Sequence, residues 1–186
     1  LSQNEYDNYG NMKAALDPEN YRTEYTYDVM GNVLTKKDAR NKIWTRTYDN
    51  RGNLKTDSDP LNHTTNHAYD KTSLRTKITD AANNDTVYGY DVRRNLITVT
   101  DPYGGIIKFE YNSDNQQIKQ TDQEGKIQTT EYDLDGRRTK QIDGNGNVIQ
   151  YVYGDEASGL NNLLVKVIYP TFSREYKYDA RGRIVE

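Results

Sequence analysis

His63 and His67 are the only imidazoles in this 186-residue chain, and their i, i+4 spacing is that of a helical zinc pair. On an extended strand the same spacing parts them by about 13 Å, too far to share one ion, and no third ligand stands nearby. Cysteine is absent, which removes thiolate ligands, disulfides and cysteine nucleophiles together. Asp143-Gly-Asn-Gly-Asn147 has the alternating oxygen ligands that open an EF-hand calcium loop. Val148 at the sixth position and Gly154 at the twelfth break that pattern, so these carboxylates are expected to close a turn. No nucleophile elbow, phosphate-binding loop or dinucleotide fingerprint occurs. No catalytic residue, metal or cofactor is therefore expected, and the chain does not read as an enzyme. Hidden hydrolytic chemistry would have to sit in the irregular stretch near Gly159, with Asp155 or Glu156 as its acid. Tyr25, Tyr88 and Tyr151 suit a different chemistry, because aromatic faces flanked by Asn, Asp and Arg can stack on sugars. They are the candidate glycan-contacting residues, set against the reading that rings at a structural period pack repeat against repeat.

The elements that carry these tyrosines follow from a period. Tyr-Asp recurs every 21 residues at Tyr6-Asp7, Tyr27-Asp28, Tyr48-Asp49, Tyr69-Asp70 and Tyr90-Asp91. It weakens at Tyr111-Asn112, returns at Tyr132-Asp133, weakens again at Tyr153-Gly154, and reaches Tyr178-Asp179 after a step of 25. A second aspartate stands eleven residues after each tyrosine from Asp17 to Asp143, so two independent positions report one repeat. Between them lie short runs rich in Tyr, Thr and β-branched residues, too short for helices and bounded by Asp, Asn, Gly and Pro. Gly10, Gly31, Gly52, Gly136 and Gly182 follow their tyrosines by four residues, and Pro18, Pro60 and Pro102 follow the second aspartate directly. Both patterns are turn chemistry.

Before the anchoring tyrosines the alternation has period two, with a ring two residues upstream at Tyr25, Tyr88, Phe109, Tyr151 and Tyr176, His67 in that slot once, and mostly polar residues between, which predicts one aromatic and one wet face. The run after the glycine is less regular. The prediction is an all-β fold, an antiparallel β-hairpin repeat array with a 21-residue period forming a twisted, spiralling sheet. Residues 1–186 read as a single array of about eight repeats, truncated at both ends, with an irregular longer repeat over 154–177. At the turns lacking glycine, asparagine at Asn115 should take the left-handed conformation more easily than Ser73. Open sheet edges predict self-association.

Composition agrees with a thin fold. Only 33% of residues are apolar, and 17 tyrosines make up much of that share. Charge is net −3 and interspersed, without the basic footprint of a nucleic-acid or anionic-membrane partner. No run is long and apolar enough to span a membrane as a helix.

Tyr25-Thr-Tyr-Asp-Val-Met-Gly-Asn32 and Tyr176-Lys-Tyr-Asp-Ala-Arg-Gly-Arg183 resemble the unit of the RHS or YD-repeat proteins. This family includes bacterial polymorphic toxins, cage components of Tc-type toxin complexes, wall-associated proteins and teneurins. The resemblance implies a spiral β-shell, and in the toxins a shell that encloses a C-terminal toxin or effector polypeptide of the same protein. It implies a secreted or cell-surface parent, and glycans as further partners of an adhesive, carbohydrate-binding array. The segment that closes the shell in the toxins is missing, so no catalytic residue is carried over.

Overall fold

The computed structural model describes residues 3–155 and 158–185. Seventeen strands appear among them and no helix. The first nine are β1 (Gln3–Tyr6), β2 (Met12–Leu16), β3 (Arg22–Tyr27), β4 (Val33–Lys37), β5 (Ile43–Tyr48), β6 (Leu54–Ser58), β7 (Thr64–Tyr69), β8 (Arg75–Thr79) and β9 (Asp85–Tyr90). The remainder are β10 (Leu96–Thr100), β11 (Ile106–Tyr111), β12 (Gln117–Thr121), β13 (Ile127–Tyr132), β14 (Arg138–Ile142), β15 (Val148–Tyr153), β16 (Leu164–Ile168) and β17 (Ser173–Glu175). The chain divides into two compact units, Leu1–Tyr88 with Thr100–Tyr103, and Gly89–Val99 with Gly104–Glu186. Within the first, β1 to β8 each pair antiparallel with the strand that follows. Within the second, β11 to β16 do the same. Each repeat is thus one hairpin, as its turn residues predict.

The two turns of the repeat are the same loop. Asp7 N–H donates to Asn11 O (2.9 Å) and Gly10 N–H to Asp7 O (3.1 Å); at the second turn Asp17 N–H donates to Tyr21 O (3.2 Å) and Asn20 N–H to Asp17 O (3.0 Å). In both, the fourth residue is left-handed, Gly10 at φ 85° and Asn20 at φ 64°. A β-turn followed by one such residue is a common hairpin closure.

One residue distinguishes the halves. Across the first turn Thr26 pairs with Thr35 but Tyr27 pairs with Val33, which leaves Leu34 as a bulge. The same register shift recurs at Glu5/Tyr6, Thr47/Tyr48, Ala68/Tyr69, Glu110/Tyr111, Glu131/Tyr132 and Val152/Tyr153. A bulge breaks strict alternation, which is why the run after the glycine reads irregularly in the sequence.

The irregular repeat has two causes. β16 begins eleven residues after Tyr153, where β4 begins six after Tyr27. β17 begins five residues after Ile168, where β5 begins six after Lys37. A longer first turn and a tighter second one together give the 25-residue step.

Neither unit has a packed core. Only Ala14 (0% exposed) and Val167 (3%) are buried among the described residues. Period-two covering survives without a core: in β11 Ile107, Phe109 and Tyr111 are half-buried while Ile106, Lys108 and Glu110 are exposed.

Candidate functional site

Each turn is organised by its leading carboxylate. Asp28 Oδ1 accepts the backbone N–H of Met30 (2.9 Å) and of Asn32 (2.9 Å), while Oδ2 accepts the Asn32 side-chain amide (2.9 Å). While Leu74, the fifth residue of its turn, closes it through the backbone N–H, the Asn32 side chain thus completes this one. Asn11, Asn53, Asn84, Asn95 and Asn147 repeat the contact at 2.8–3.0 Å. Arg137 and Arg183 make it through Nε at 2.7 Å, and His63 places Nδ1 2.9 Å from Asp59 Oδ2. Where Asn112 replaces the aspartate, its own amide donates to Gln116 Oε1 (2.7 Å). These bonds favour the ionised form. The asparagine side-chain amides hold Asp7, Asp28, Asp49, Asp80 and Asp143 below the ordinary carboxylate range.

Successive turns are tied across one repeat. Asn53 Nδ2 reaches Ser73 Oγ (3.1 Å), and Asn95 Nδ2 reaches Asn115 Oδ1 (2.9 Å). Gln116 Nε2 donates to Gly136 O (3.0 Å), and Arg51 to the carbonyls of Lys71 (2.6 Å) and Asp70 (3.0 Å). Arg137 also bonds Asn162 in the long loop and lies 4.8 Å from the Tyr153 ring centroid.

The anchoring tyrosines make the second tie. Tyr27 Oη donates to Met12 O (2.8 Å), Tyr48 to Val33 O (3.1 Å), Tyr111 to Leu96 O (2.9 Å), Tyr132 to Gln117 O (3.0 Å) and Tyr153 to Arg138 O (3.0 Å). Each acceptor opens an even-numbered strand of the preceding repeat, and Met12, Val33, Gln117 and Arg138 stand beside a bulge. A ladder interrupted there needs donors from elsewhere, and the phenol supplies one. Burial raises the Tyr27, Tyr111 and Tyr153 phenols above their usual titration.

Tyr25, Tyr88 and Tyr151 lie on the same strand face as the anchors and are half-buried. They do not share one environment. Arg75 Cζ sits 5.4 Å from the Tyr88 centroid and Arg138 Cζ 5.6 Å from that of Tyr151. Tyr25 instead lines a hollow of about 550 Å³ with Tyr9, Lys13, Tyr27 and Met30. Ring-on-ring packing between repeats, expected from the period, is not what fills this face. Equivalent rings stand two strand spacings apart, about 9.5 Å, beyond the 4.5–7 Å range of aromatic pairs. The stacked pair among the described residues is Tyr169–Phe172, 4.4 Å apart in the tight second turn of the irregular repeat.

The remaining candidates fall into turns. His63 precedes β7 and binds Asp59, whereas His67 is within β7 with a buried Nδ1 lacking a hydrogen-bond partner. Among the described residues no three His, Cys, Asp or Glu side chains converge on a metal position. Asp143 Oδ1 is taken by Asn145 and Asn147 N–H, both at 2.9 Å, as Asp28 Oδ1 is by Met30 and Asn32. Asp155 accepts Ser158 N–H (2.8 Å) at the head of the long loop, and Glu156 lies outside the described residues. The left-handed position is occupied by Ser73 (φ 65°) and Arg94 (φ 71°) as well as Asn115 (φ 61°). The turn survives at Ser73 because Asp70 Oδ1 holds Thr72 N–H (2.7 Å) and Leu74 N–H (2.9 Å) regardless of that residue.

A family model described as the teneurin YD-shell matches residues 4–161. The chain belongs to the YD-shell family. Among solved structures, this YD-shell segment resembles a TcdB2–TccC3–Cdc42 complex with TM-score 0.78 and 17% identity over 95% of the segment. It also resembles the Tc holotoxin pore of Photorhabdus luminescens, with TM-score 0.56 and 17% identity over 99%. TcdB2–TccC3 without its hypervariable C-terminal region gives 0.55 and 16% over 99%. The segment spans only 11%, 12% and 14% of those chains, and the likeness is one of fold. No curated protein matches by sequence. The RHS/YD repeat and all-β class read from the tyrosine period are therefore correct. Missed in the sequence was the role of the residue after the left-handed position: where it is Asn, Arg or His its side chain bonds the leading aspartate, whereas Tyr21 and Leu74 offer theirs a backbone N–H.

Proposed function

We propose that this segment is a stretch of wall in a larger exported YD-shell protein, and that the wall encloses a polypeptide carried by the same protein. The observation that carries the reading is the double tie between repeats, turn to turn and phenol to bulge carbonyl, which serves continuity and no reaction. A wall must satisfy its backbone polar groups strand by strand. It needs no reactive centre. The existence of a TcdB2–TccC3 form lacking a hypervariable C-terminal region supports placing the enclosed polypeptide at the C-terminal side. Secretion or cell-surface display of the parent belongs to the same proposal. Limited proteolysis of the full-length protein tests it: the enclosed region should survive protease levels that degrade the same region expressed alone. Equal digestion of both would refute enclosure.

A glycan-binding array is the second reading, and Tyr25 favours it, because its hollow also exposes the Tyr9 ring (91%). Tyr88 and Tyr151 favour it less, with guanidinium groups against their rings. A glycan array probed with the chain decides: saturable binding lost in Tyr25→Ala would support this reading, and a blank array would end it.

A further inference from the structure

The two faces of the first unit balance charge differently. On the wet face Arg22 meets Glu5 (2.6 Å) and Glu24 (2.9 Å), Lys37 meets Glu24 (3.6 Å), and Lys77 meets Asp85 (3.0 Å). On the ring-bearing face the register runs from Tyr25 to Lys36 to Trp44, then through Arg46 to Asp57. Arg75, over Tyr88, belongs to this face as well. Asp57 is the one carboxylate there among the described strand residues of the unit. It accepts Arg46 Nε (3.1 Å). The Lys36 ammonium lies 5.3 Å from the Trp44 ring centroid. Around these groups is a hollow of about 320 Å³ lined by Val33, Leu34, Lys36, Trp44, Arg46 and Asp57.

We propose that this hollow docks an acidic polypeptide segment. A side-chain carboxylate would sit between the Lys36 ammonium and the Arg46 guanidinium, with its methylenes on the Trp44 indole, Val33 and Leu34. Charge complementarity selects that occupant. Lys36 and Arg46 against Asp57 leave the hollow with a net positive charge on a chain whose net charge is −3, so an acidic partner is steered to it. A cation over an indole keeps its attraction to the ring while its outer donors stay available. Nucleic acid suits the site less, since it needs a row of cations to follow its phosphates. The proposal rests on the wall reading only for the natural occupant, which would be the enclosed polypeptide.

Trp44 is the sole tryptophan of the chain, so its emission reports the hollow directly. Titrating the chain with poly-L-glutamate at low ionic strength should change that emission saturably, and added salt should weaken binding. Lys36→Gln should weaken it roughly tenfold and Lys36→Glu more. Lys108→Glu carries the same net charge as Lys36→Glu but changes the wet face of β11, and should shift affinity by no more than about twofold. Circular dichroism of each variant reports folding, and Lys36→Gln carries the test if the reversal misfolds. An unresponsive Trp44, equal losses in Lys36→Glu and Lys108→Glu, or single-stranded DNA binding as tightly as poly-L-glutamate would each overturn the site. Enclosure is read by protease protection instead, so either idea can fail alone.

Discussion

At most reversals one carboxylate closes the turn through two backbone donors, and where the residue four positions on is Asn, Arg or His its side chain completes it. This geometry sets the acid response. The depressed titration of Asp7, Asp28, Asp49, Asp80 and Asp143 means that the unfolded chain takes up protons first as pH falls. The stability they confer is present above about pH 4 and lost as pH drops through the lower folded values. Urea denaturation from neutral to acid pH should show this loss, and Asp28→Asn should make its slope shallower. An unchanged slope would mean that the amide contacts do not persist in solution. Ser73 offers an opposite kind of test, because an L-residue held at φ 65° carries strain. Ser73→Asn should stabilise the chain by about 0.5–1 kcal/mol, since Asn115 already takes this conformation and accepts the equivalent bond from Asn95. Both turns were legible from their Asp, Gly and Pro residues. That Ser73 and Arg94 also turn was not, since their local preference points away from the left-handed region and the aspartate overrides it.

At the scale of the strand pair, the extra residue after the glycine turn explains why the halves differ. Its bulge interrupts the ladder, and a phenol from the next repeat donates to the carbonyl beside it. Tyr132→Phe removes that donor to Gln117 O while keeping the ring. A loss of about 1 kcal/mol in chemical denaturation is expected, with no change in the far-UV spectrum. A neutral substitution would show that water replaces the phenol. Burial raises the Tyr27, Tyr111 and Tyr153 phenols, so their contribution is present below about pH 10 and lost as pH rises through the higher folded values. The period marks these tyrosines in the sequence. Their acceptors could not be read there, because a bulge is a property of two strands in register.

For the whole molecule, exposure is the governing quantity. The chain presents 13055 Å² to solvent, against about 9,200 Å² expected for a folded monomer of its 21.5 kDa mass. Unfolding should therefore expose little new apolar surface. Calorimetry should give a heat-capacity change below about 2.2 kcal/mol/K, the lower figure for 186 ordinary residues. A normal or larger value would point to a core formed elsewhere. By itself the sequence determined the hairpin, its period, its turns and its family, because each depends on residues within about twenty positions of one another. Only the tertiary structure decided which carbonyl each tyrosine takes, that cations rather than neighbouring rings cover Tyr88 and Tyr151, and that Lys36, Trp44, Arg46 and Asp57 share a hollow. Those choices depend on strand register and on the spacing across two strands, distances that a linear pattern does not contain.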